Sequence, residues 1–406
     1  MHVTPRLETV AGKTWDVVIV GAGPAGALAA RGLAQLERQV LLVDKTRFPR
    51  FKVCGGCLNL KSLAVLEAVG LGELPESLGA VPLSQMTWAA GGRRACIRLP
   101  GGMSVSRERF DADLAQAAVA EGVEFLAGVT ARVMDRSGDG RHVRLGEGTR
   151  SVTVCARIVL VASGLGGGCA DENDGRNRVA GQSLLGTGVL IEAVDTDYLP
   201  GTIYMACGRG GYVGITRVEQ GLLNVAAALD PAFVRHEGGL GNSACLLIKE
   251  AGLPTLENLA QHAWKGTPLL TRRPSAIAGD RLFLLGDAAG YIEPFTGEGM
   301  AWALAGARAV VPLADQGCSH WTPELGRRWQ ATYRQVIRRR QWVCRSLSHL
   351  LRHPGLTRGV VRILSACPSI ARPVVRFLND GRVAAADGQG HHLQSAHIPA
   401  GPLRRL

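Results

Sequence analysis

Long apolar runs are missing from this 406-residue chain. None reaches the roughly 18 consecutive residues that a membrane-spanning helix needs. The polar opening Met1–Trp15 has no apolar stretch ahead of a cleavage site, so no signal peptide is read and a soluble cytoplasmic protein is expected. Cysteine is present but unframed. Apart from Cys54 and Cys57 there is no second close pair, and a zinc ribbon needs two such pairs. Most thiols are therefore expected to be small buried hydrophobes in a reducing compartment. The ten histidines are dispersed, five of them beyond residue 340, so no metal cluster or Ser/His/Asp triad is read and no metal is expected. Lysine is absent from Trp321–Leu406, where 15 arginines face 3 acids, while residues 1–320 balance at 31 basic and 31 acidic. The net charge of +12 is thus one local basic surface. No nucleic-acid-binding motif accompanies it, so nucleic acid is not an expected partner.

What is present suits a sizeable core, in two connected domains or one domain with a large insertion. "DVVIV" (Asp16–Val20) and "QVLLVD" (Gln39–Asp44) read as buried parallel strands flanking a small-residue helix from Pro24 to Leu36, a βαβ unit. A helix is expected near Lys61–Leu71, and residues 81–105 read as strands returning toward the first sheet. "SRERFDADLAQAAVAEG" (Ser106–Gly122) reads as a helix capped by Ser106. "ARIVLVASG" (Ala156–Gly164) is a further buried strand, and Gly181–Asp230 alternates like an antiparallel sheet. "RLFLLGDAAG" (Arg281–Gly290) enters a loop before a helix over Met300–Ala314, and further helices through 321–378 are interrupted at Pro354, Pro368 and Pro373. No internal repeat appears.

Two glycine-rich corners carry the chemistry. "GAGPAG" follows a strand and opens a helix. Gly21 allows the tight turn, Gly23 lets backbone approach a pyrophosphate, and Gly26 lets the helix pack on the sheet. The helix start, with Pro24 and Ala25, offers N–H groups and positive potential to phosphate. Asp44 ends the next strand 18 residues after Gly26, suited to a ribose diol, with Lys45 beside it. That corner leaves NAD and FAD both open. In "LFLLGDAAGYIEPFTGEGMAWAL" a strand delivers Gly286 and Asp287 to a loop reaching Pro294 and then Gly297 and Gly299 at a helix start. Asp287 suits a ribityl hydroxyl, and N–H groups from Gly297 to Met300 suit the N1/O2 edge of an isoalloxazine, which is anionic when reduced. In "RFPRFKVCGGCLN" (residues 47–59) the Cys54–Cys57 spacing is open to a redox pair, half a metal site or a backbone turn; a redox pair gains its low pKa at a helix N-terminus.

With both corners in place the sequence resembles the FAD-dependent oxidoreductases of the aromatic-hydroxylase superfamily, over about residues 15–345. Within it, the chain is most similar to the geranylgeranyl-reductase and flavin-halogenase branch. The resemblance implies an α/β fold: a glutathione-reductase-type, Rossmann-like FAD-binding domain with an antiparallel β substrate-domain insertion and a helical C-terminus. The segments are 1–80, 106–180 and 276–320 for the FAD domain, 81–105 and 181–275 for the substrate domain, 321–379 for a basic helical region and 380–406 for a flexible tail. It implies that Gly21, Gly23 and Gly26 hold the pyrophosphate, that Asp44 meets the ribose and that Arg107 sits near phosphate and ribityl. Asp287 would bind ribityl, Gly297 and Gly299 would lie under the flavin, and the backbone of Ala131 would meet adenine. Gly164 belongs to the same set. Gly55 and Gly56 would press on the isoalloxazine face with Cys54 facing the flavin, while a redox role for Cys57 stays open, since the helix expected from about residue 60 offers it an N-terminus. Two departures count: "VASG" (Val161–Gly164) stands where hydroxylases carry Asp-Gly, and "GGYVGITRV" (Gly210–Val218) lacks the halogenase tryptophans and proline.

The resemblance thus implies an FAD-dependent oxidoreductase for a hydrophobic substrate of polyketide, lipid or isoprenoid type, acting by carbon–carbon reduction, dehydrogenation or monooxygenation. Its electrons would come from NAD(P)H or a partner reductase. The alternatives are a halogenase-like tailoring enzyme on a carrier-bound substrate, or a flavin-binding electron relay or structural protein. Candidate catalytic residues are Cys54, Lys52 and Tyr212, with Tyr204 as a second polar tip in the wall over the flavin. Arg338, Arg339 and Arg340 with Trp342 suggest a face for an acyl carrier protein or a membrane surface.

Overall fold

The computed structural model describes residues 7–166, 177–192, 196–293, 295 and 297–379. The chain opens with β1 (Thr14–Val20), α1 (Pro24–Ala34) and β2 (Val40–Asp44). Val17, Val18 and Ile19 have no exposed surface, so β1 has no wet face and must lie inside a sheet covered on both sides. There follow α2 (Leu60–Ala68), β3 (Gln85–Ala90), β4 (Arg93–Arg98) and α3 (Arg107–Ala120). Ser106 Oγ caps α3 by accepting the Arg109 N–H at 3.2 Å. Then come β5 (Glu124–Ala127), β6 (Thr130–Ser137), β7 (Gly140–Glu147) and β8 (Arg150–Val161). The middle of the chain holds β9 (Leu185–Ile191), β10 (Thr202–Gly208), β11 (Gly211–Arg217), β12 (Leu223–Leu229), α4 (Leu240–Ala251), β13 (Lys265–Leu269) and β14 (Leu282–Leu284). It closes with α5 (Gly299–Ser319), α6 (Pro323–Tyr333), α7 (Arg339–Leu351), α8 (Pro354–Ala366) and α9 (Arg372–Asn379).

The first sheet runs β14-β8-β1-β2-β5 with every one of these pairs parallel. The β6–β7 hairpin adds to β8 antiparallel. Helix α1 lies against α5, and Gly32 permits the close approach: a Cβ there would stand 3.1 Å from a Val311 methyl. The core of this half centres on β1, β2, β8 and the helices over them. This is the expected FAD-binding α/β architecture.

The second sheet runs β13-β9-β12-β11-β10-β3-β4. Here one expectation is corrected. The strands of 81–105 do not return to the first sheet; β3 pairs in parallel with β10, from Thr202↔Gln85 to Cys207↔Ala90, and β4 forms the outer edge. Trp88 explains the placement. It is 4% exposed, packs at 5.1 Å from the Phe295 ring and donates its indole N–H to Cys207 Sγ at 3.2 Å, so its apolar bulk is buried only against this sheet. The helical run of the C-terminal region breaks at the prolines as expected: Pro354 and Pro368 each stand first in a new element and Pro373 stands second in α9, where a missing N–H costs nothing. The tail 380–406 lies outside the described residues.

Candidate active site

The β1–α1 turn is a glycine cradle for steric reasons. Gly21 has φ +105°, and a Cβ there would overlap the Ala162 carbonyl of the neighbouring strand end. A Cβ at Gly26 would overlap the Gly21 carbonyl. The turn is tied to the end of β2: Asp44 Oδ2 accepts the Ala22 N–H at 2.9 Å, while Oδ1 accepts the Thr46 N–H at 2.9 Å and its hydroxyl at 2.6 Å. Asp44 is buried, Lys45 is exposed, and Ala131 is half-buried on β6.

Two guanidiniums stand over the cradle. A Cβ at Gly23 would lie 3.5 Å from Arg107 Nη2 and 3.9 Å from Arg50 Nη2. Both arginines share one carboxylate without exposed surface: Arg107 binds Asp111 in a fork at 2.6 and 2.7 Å, and Arg50 reaches it at 3.1 Å. Arg50 also stands 3.7 Å from Asp44, so the two guanidiniums are balanced by two carboxylates. The positive potential at the seat comes from the guanidinium N–H groups that face it together with the α1 N-terminus, where backbone N–H groups are free of helix partners. Burial alone would pull the Arg107 pKa down, but Asp111 outweighs it and holds the pKa above the usual arginine value. The Lys52 ammonium adds to the same field. Burial and then the Arg107 charge push its pKa down, against the opposing pull of Asp287.

The second glycine corner meets the first. Gly286, after β14, has φ +54°, and a Cβ on it would stand 3.2 Å from the Ala25 Cβ in the first turn of α1. Asp287 follows in the same short turn. At the start of α5, Gly297 has φ +73° and would place a Cβ 3.3 Å from the Cys57 Cβ. The 47–59 loop therefore lies between α1 and the α5 N-terminus. That loop is fixed from the second sheet: Asn224 on β12 donates to the Cys54 carbonyl at 2.8 Å, and the Val105 N–H donates to the Gly56 carbonyl at 2.8 Å. Gly23, Pro24, Ala25, Lys52, Cys54, Gly55, Arg107, Gly164, Gly286, Asp287, Gly297, Gly299 and Met300 all line one pocket. Gly21, Gly26, Asp44, Lys45, Gly56 and Ala131 do not line it, and Pro294 lies outside the described residues.

The residues present fit a dinucleotide. They provide a cradle only glycine can form, a paired-arginine anion site at a helix N-terminus and a carboxylate at the second corner. The Ser163 hydroxyl, between the corners, is buried without a protein partner. Residues 14–206 match the family described as an FAD binding domain. This chain is an FAD-dependent oxidoreductase. The flavoenzyme is 28% identical over 367 residues to the menaquinone reductase of Mycobacterium tuberculosis, covering 84% of each chain. It is 28% identical over 330 residues to digeranylgeranylglycerophospholipid reductase 2 of Methanopyrus kandleri, covering 74% of this chain and 76% of the relative. Its fold is similar to that of a geranylgeranyl bacteriochlorophyll reductase-like protein from Thermoplasma acidophilum, with a TM-score of 0.72 at 19% identity over 90% of this chain and 98% of that one.

Beyond the cradle, the flavoenzyme's pocket turns apolar. Met86, Leu99, Ile203, Met205 and Leu270 line it from the second sheet and its flanks, and Phe295, Val375 and Leu378 close it from the C-terminal side. Tyr212 also lines it, its ring edge-on to Phe295 at 5.2 Å, and burial pushes its phenol well above the ordinary value. Tyr291, which the sequence did not single out, faces the same pocket and is shifted the same way by burial. Both phenols therefore stay protonated at neutral pH. Tyr204 is not in the pocket. Its hydroxyl accepts the Leu199 N–H at 3.1 Å and its ring stands edge-on to Tyr198. Cys54 and Cys57 are free thiols. Burial, then proximity to Cys54, pushes Cys57 up to about 12, and its Sγ sits 3.3 Å from the Gly55 carbonyl. That environment keeps it a neutral thiol, in line with the backbone-turn reading. Among the described residues no His, Cys, Asp and Glu group is placed to hold a metal ion. Arg50, Asp111, Tyr291 and Asn224 were missed. Only Asp111 carried a local signal, four residues after Arg107 on one helix face.

Proposed function

We propose that the enzyme reduces a conjugated or isolated double bond in a polyprenyl-type lipid. The observation that carries this reading is the wall of the pocket, apolar from the flavin seat at Cys54 and Gly297 out to Val375 and Leu378 on α9. Such a channel suits an extended hydrocarbon better than a compact polar molecule. The two relatives, a menaquinone reductase and a digeranylgeranylglycerophospholipid reductase, support the same reading.

Bound FAD supplies the two-electron chemistry. Gly21, Gly23 and Gly26 with Arg50 and Arg107 would hold its pyrophosphate, Asp44 and the Ala131 backbone its adenosine end, and Asp287 and Ser163 its polyol. The α5 N-terminus, at Gly299 and Met300, would place N–H groups and positive potential at the ring edge. Gly55, with open space where a Cβ would stand, would let the loop backbone lie against the ring. The apolar wall excludes water from the reacting bond. The Tyr212 and Tyr291 hydroxyls, held neutral by burial, are proton donors within the pocket, so each can deliver a proton from phenol oxygen to a carbon of the reacting double bond. Cytoplasmic placement with peripheral membrane attachment belongs to the same reading. Among the described residues no helix is long and apolar enough to cross a membrane.

The test is anaerobic. Holoenzyme reduced with dithionite is mixed with a prenylated naphthoquinone or a geranylgeranyl lipid. Reoxidation of the flavin absorbance together with a product that stays two hydrogens heavier after air oxidation, with one prenyl double bond lost, supports the reading, and a gain that air reverses replaces it with reduction of the quinone ring. Reoxidation only on admitting oxygen, with oxygen or halogen found in the product, replaces it with monooxygenation or halogenation. Rates indifferent to any substrate leave an electron relay. Repeating the reduction with NADPH, NADH and a ferredoxin-type reductase identifies the donor.

A further inference from the structure

The last three elements of the described chain expose a row of large apolar side chains. Leu356 and Ile363 on α8, Ile370 in the 3-10 turn Pro368–Ala371, and Val374 and Phe377 on α9 are each between 44% and 59% exposed. Leu356 and Ile363, seven apart, share one face of α8, and Val374 and Phe377, three apart, share one face of α9, with Ile370 in the turn that joins the two helices. A single exposed leucine needs no explanation, but five large apolar side chains exposed between Leu356 and Phe377 mark a contact surface.

Three further observations decide what the surface meets. The segment from Leu325 to Asn379 holds 12 arginines and no acid. Arg362, Arg372 and Arg376 are exposed beside the apolar row, and Arg372 and Arg376, four apart, make their own row along α9. This is the pattern of a helix lying in a bilayer interface, with apolar residues below and cations at the level of anionic headgroups. Finally, α9 serves two surfaces at once. Val375, Leu378 and Asn379 line the pocket over the flavin seat, while Val374 and Phe377 next to them face outward.

We propose that α8 and α9 dock the enzyme on the surface of an anionic phospholipid bilayer, with Leu356, Ile363, Ile370, Val374 and Phe377 inserted among the acyl chains, so that a lipid enters the pocket past α9 without crossing water. This rests on the reading of the substrate as a lipid, and extends it to how the substrate arrives. An acidic carrier protein would match the arginines, but it has no need of a five-residue apolar row.

The experiment uses full-length holoenzyme. It is sedimented with phosphatidylcholine vesicles with and without phosphatidylglycerol, at low and high salt. Binding at least about tenfold stronger to the anionic vesicles, weakened by salt, is expected. Ile363→Asp with Ile370→Asp should lower binding at least about tenfold. Arg362→Glu with Arg372→Glu should abolish the preference for anionic vesicles and also controls for misfolding of the first pair; retained flavin absorbance reports the fold of both. Turnover separates docking from chemistry. A short-chain prenylated quinone in buffer should be reduced equally by wild type and both variants. The long-chain homologue embedded in vesicles should be reduced at least about tenfold more slowly by the variants. No vesicle binding with intact reduction of the soluble quinone overturns the docking and leaves the function standing. Vesicle binding without reduction of either quinone leaves the docking standing and removes the proposed reaction. Equal binding by wild type and both variants, or self-association through this face, overturns the docking.

Discussion

Arg107 and Arg50 converge on Asp111, a carboxylate with no exposed surface, and this triplet sets the charge over the glycine cradle. Replacing Arg107 by Met removes one cation from the pyrophosphate seat and leaves Asp111 with Arg50 alone. A hydrogen bond to a charged group contributes about 1.5–3 kcal/mol, so FAD affinity should fall roughly 10- to 100-fold, measured by titrating apoprotein with FAD and following flavin fluorescence. Gly26→Ala should be harsher. Its Cβ meets backbone, which cannot rotate aside, so purified protein is expected to be colourless, with a lower melting temperature even without cofactor. At this scale the sequence was partly legible. Glycines 21, 23 and 26 declared themselves by spacing, because the turn needs them within one local unit. Arg50, Tyr291 and Asn224 did not, because each acquires its role from a partner more than 50 residues away or from a pocket wall that forms only on folding.

The 47–59 loop shows how one element is held by another. Its backbone is fixed by the amide of Asn224, which is 5% exposed on β12 and donates to the Cys54 carbonyl at 2.8 Å. Asn224→Ala leaves that carbonyl without its donor and frees the loop from the second sheet. FAD binding should change less than in Arg107→Met, since Arg50 in the same loop keeps its ion pairs with Asp44 and Asp111. Turnover should drop by roughly 10-fold, the equivalent of about 1.4 kcal/mol in positioning, and flavin fluorescence should rise as the loop lifts from the ring. Steady-state kinetics alongside FAD titration separates the two effects. The β3–β4 hairpin teaches the limit of pattern reading. Its alternation correctly announced strands, but alternation carries no address. The address came from Trp88, whose bulk could be buried only beside Cys207 and Phe295.

Across the whole molecule, three buried thiols tie stability to alkaline pH. Cys57, Cys207 and Cys318 are each pushed from the ordinary value of 9.0 to about 12, with burial as the largest cause. The folded state keeps them neutral while the unfolded chain ionises them. Their contribution is therefore fully present below pH 9 and declines as pH rises toward 12, by about 1.4 kcal/mol per pH unit for each thiol. Denaturant midpoints measured from pH 8 to pH 10.5 should fall steeply, and Cys207→Ala should make that fall shallower. An unchanged slope would show that Cys207 ionises as readily in the fold as outside it. The two-sheet layout was legible from the chain, because buried parallel strands and alternating antiparallel ones differ in pattern. The way α9 forms one wall of the pocket was not, since its apolar residues read equally well as ordinary packing.

The flavin seat draws on chain positions as far apart as Gly21, Arg107, Asp287 and Gly299. Synthesis proceeds from the first of these to the last, so a growing polypeptide has no complete place for the coenzyme until the opening of α5 has left the ribosome. Any product stalled earlier would be born without the yellow prosthetic group, and the capture of that group marks the moment at which the two ends of the domain have found each other.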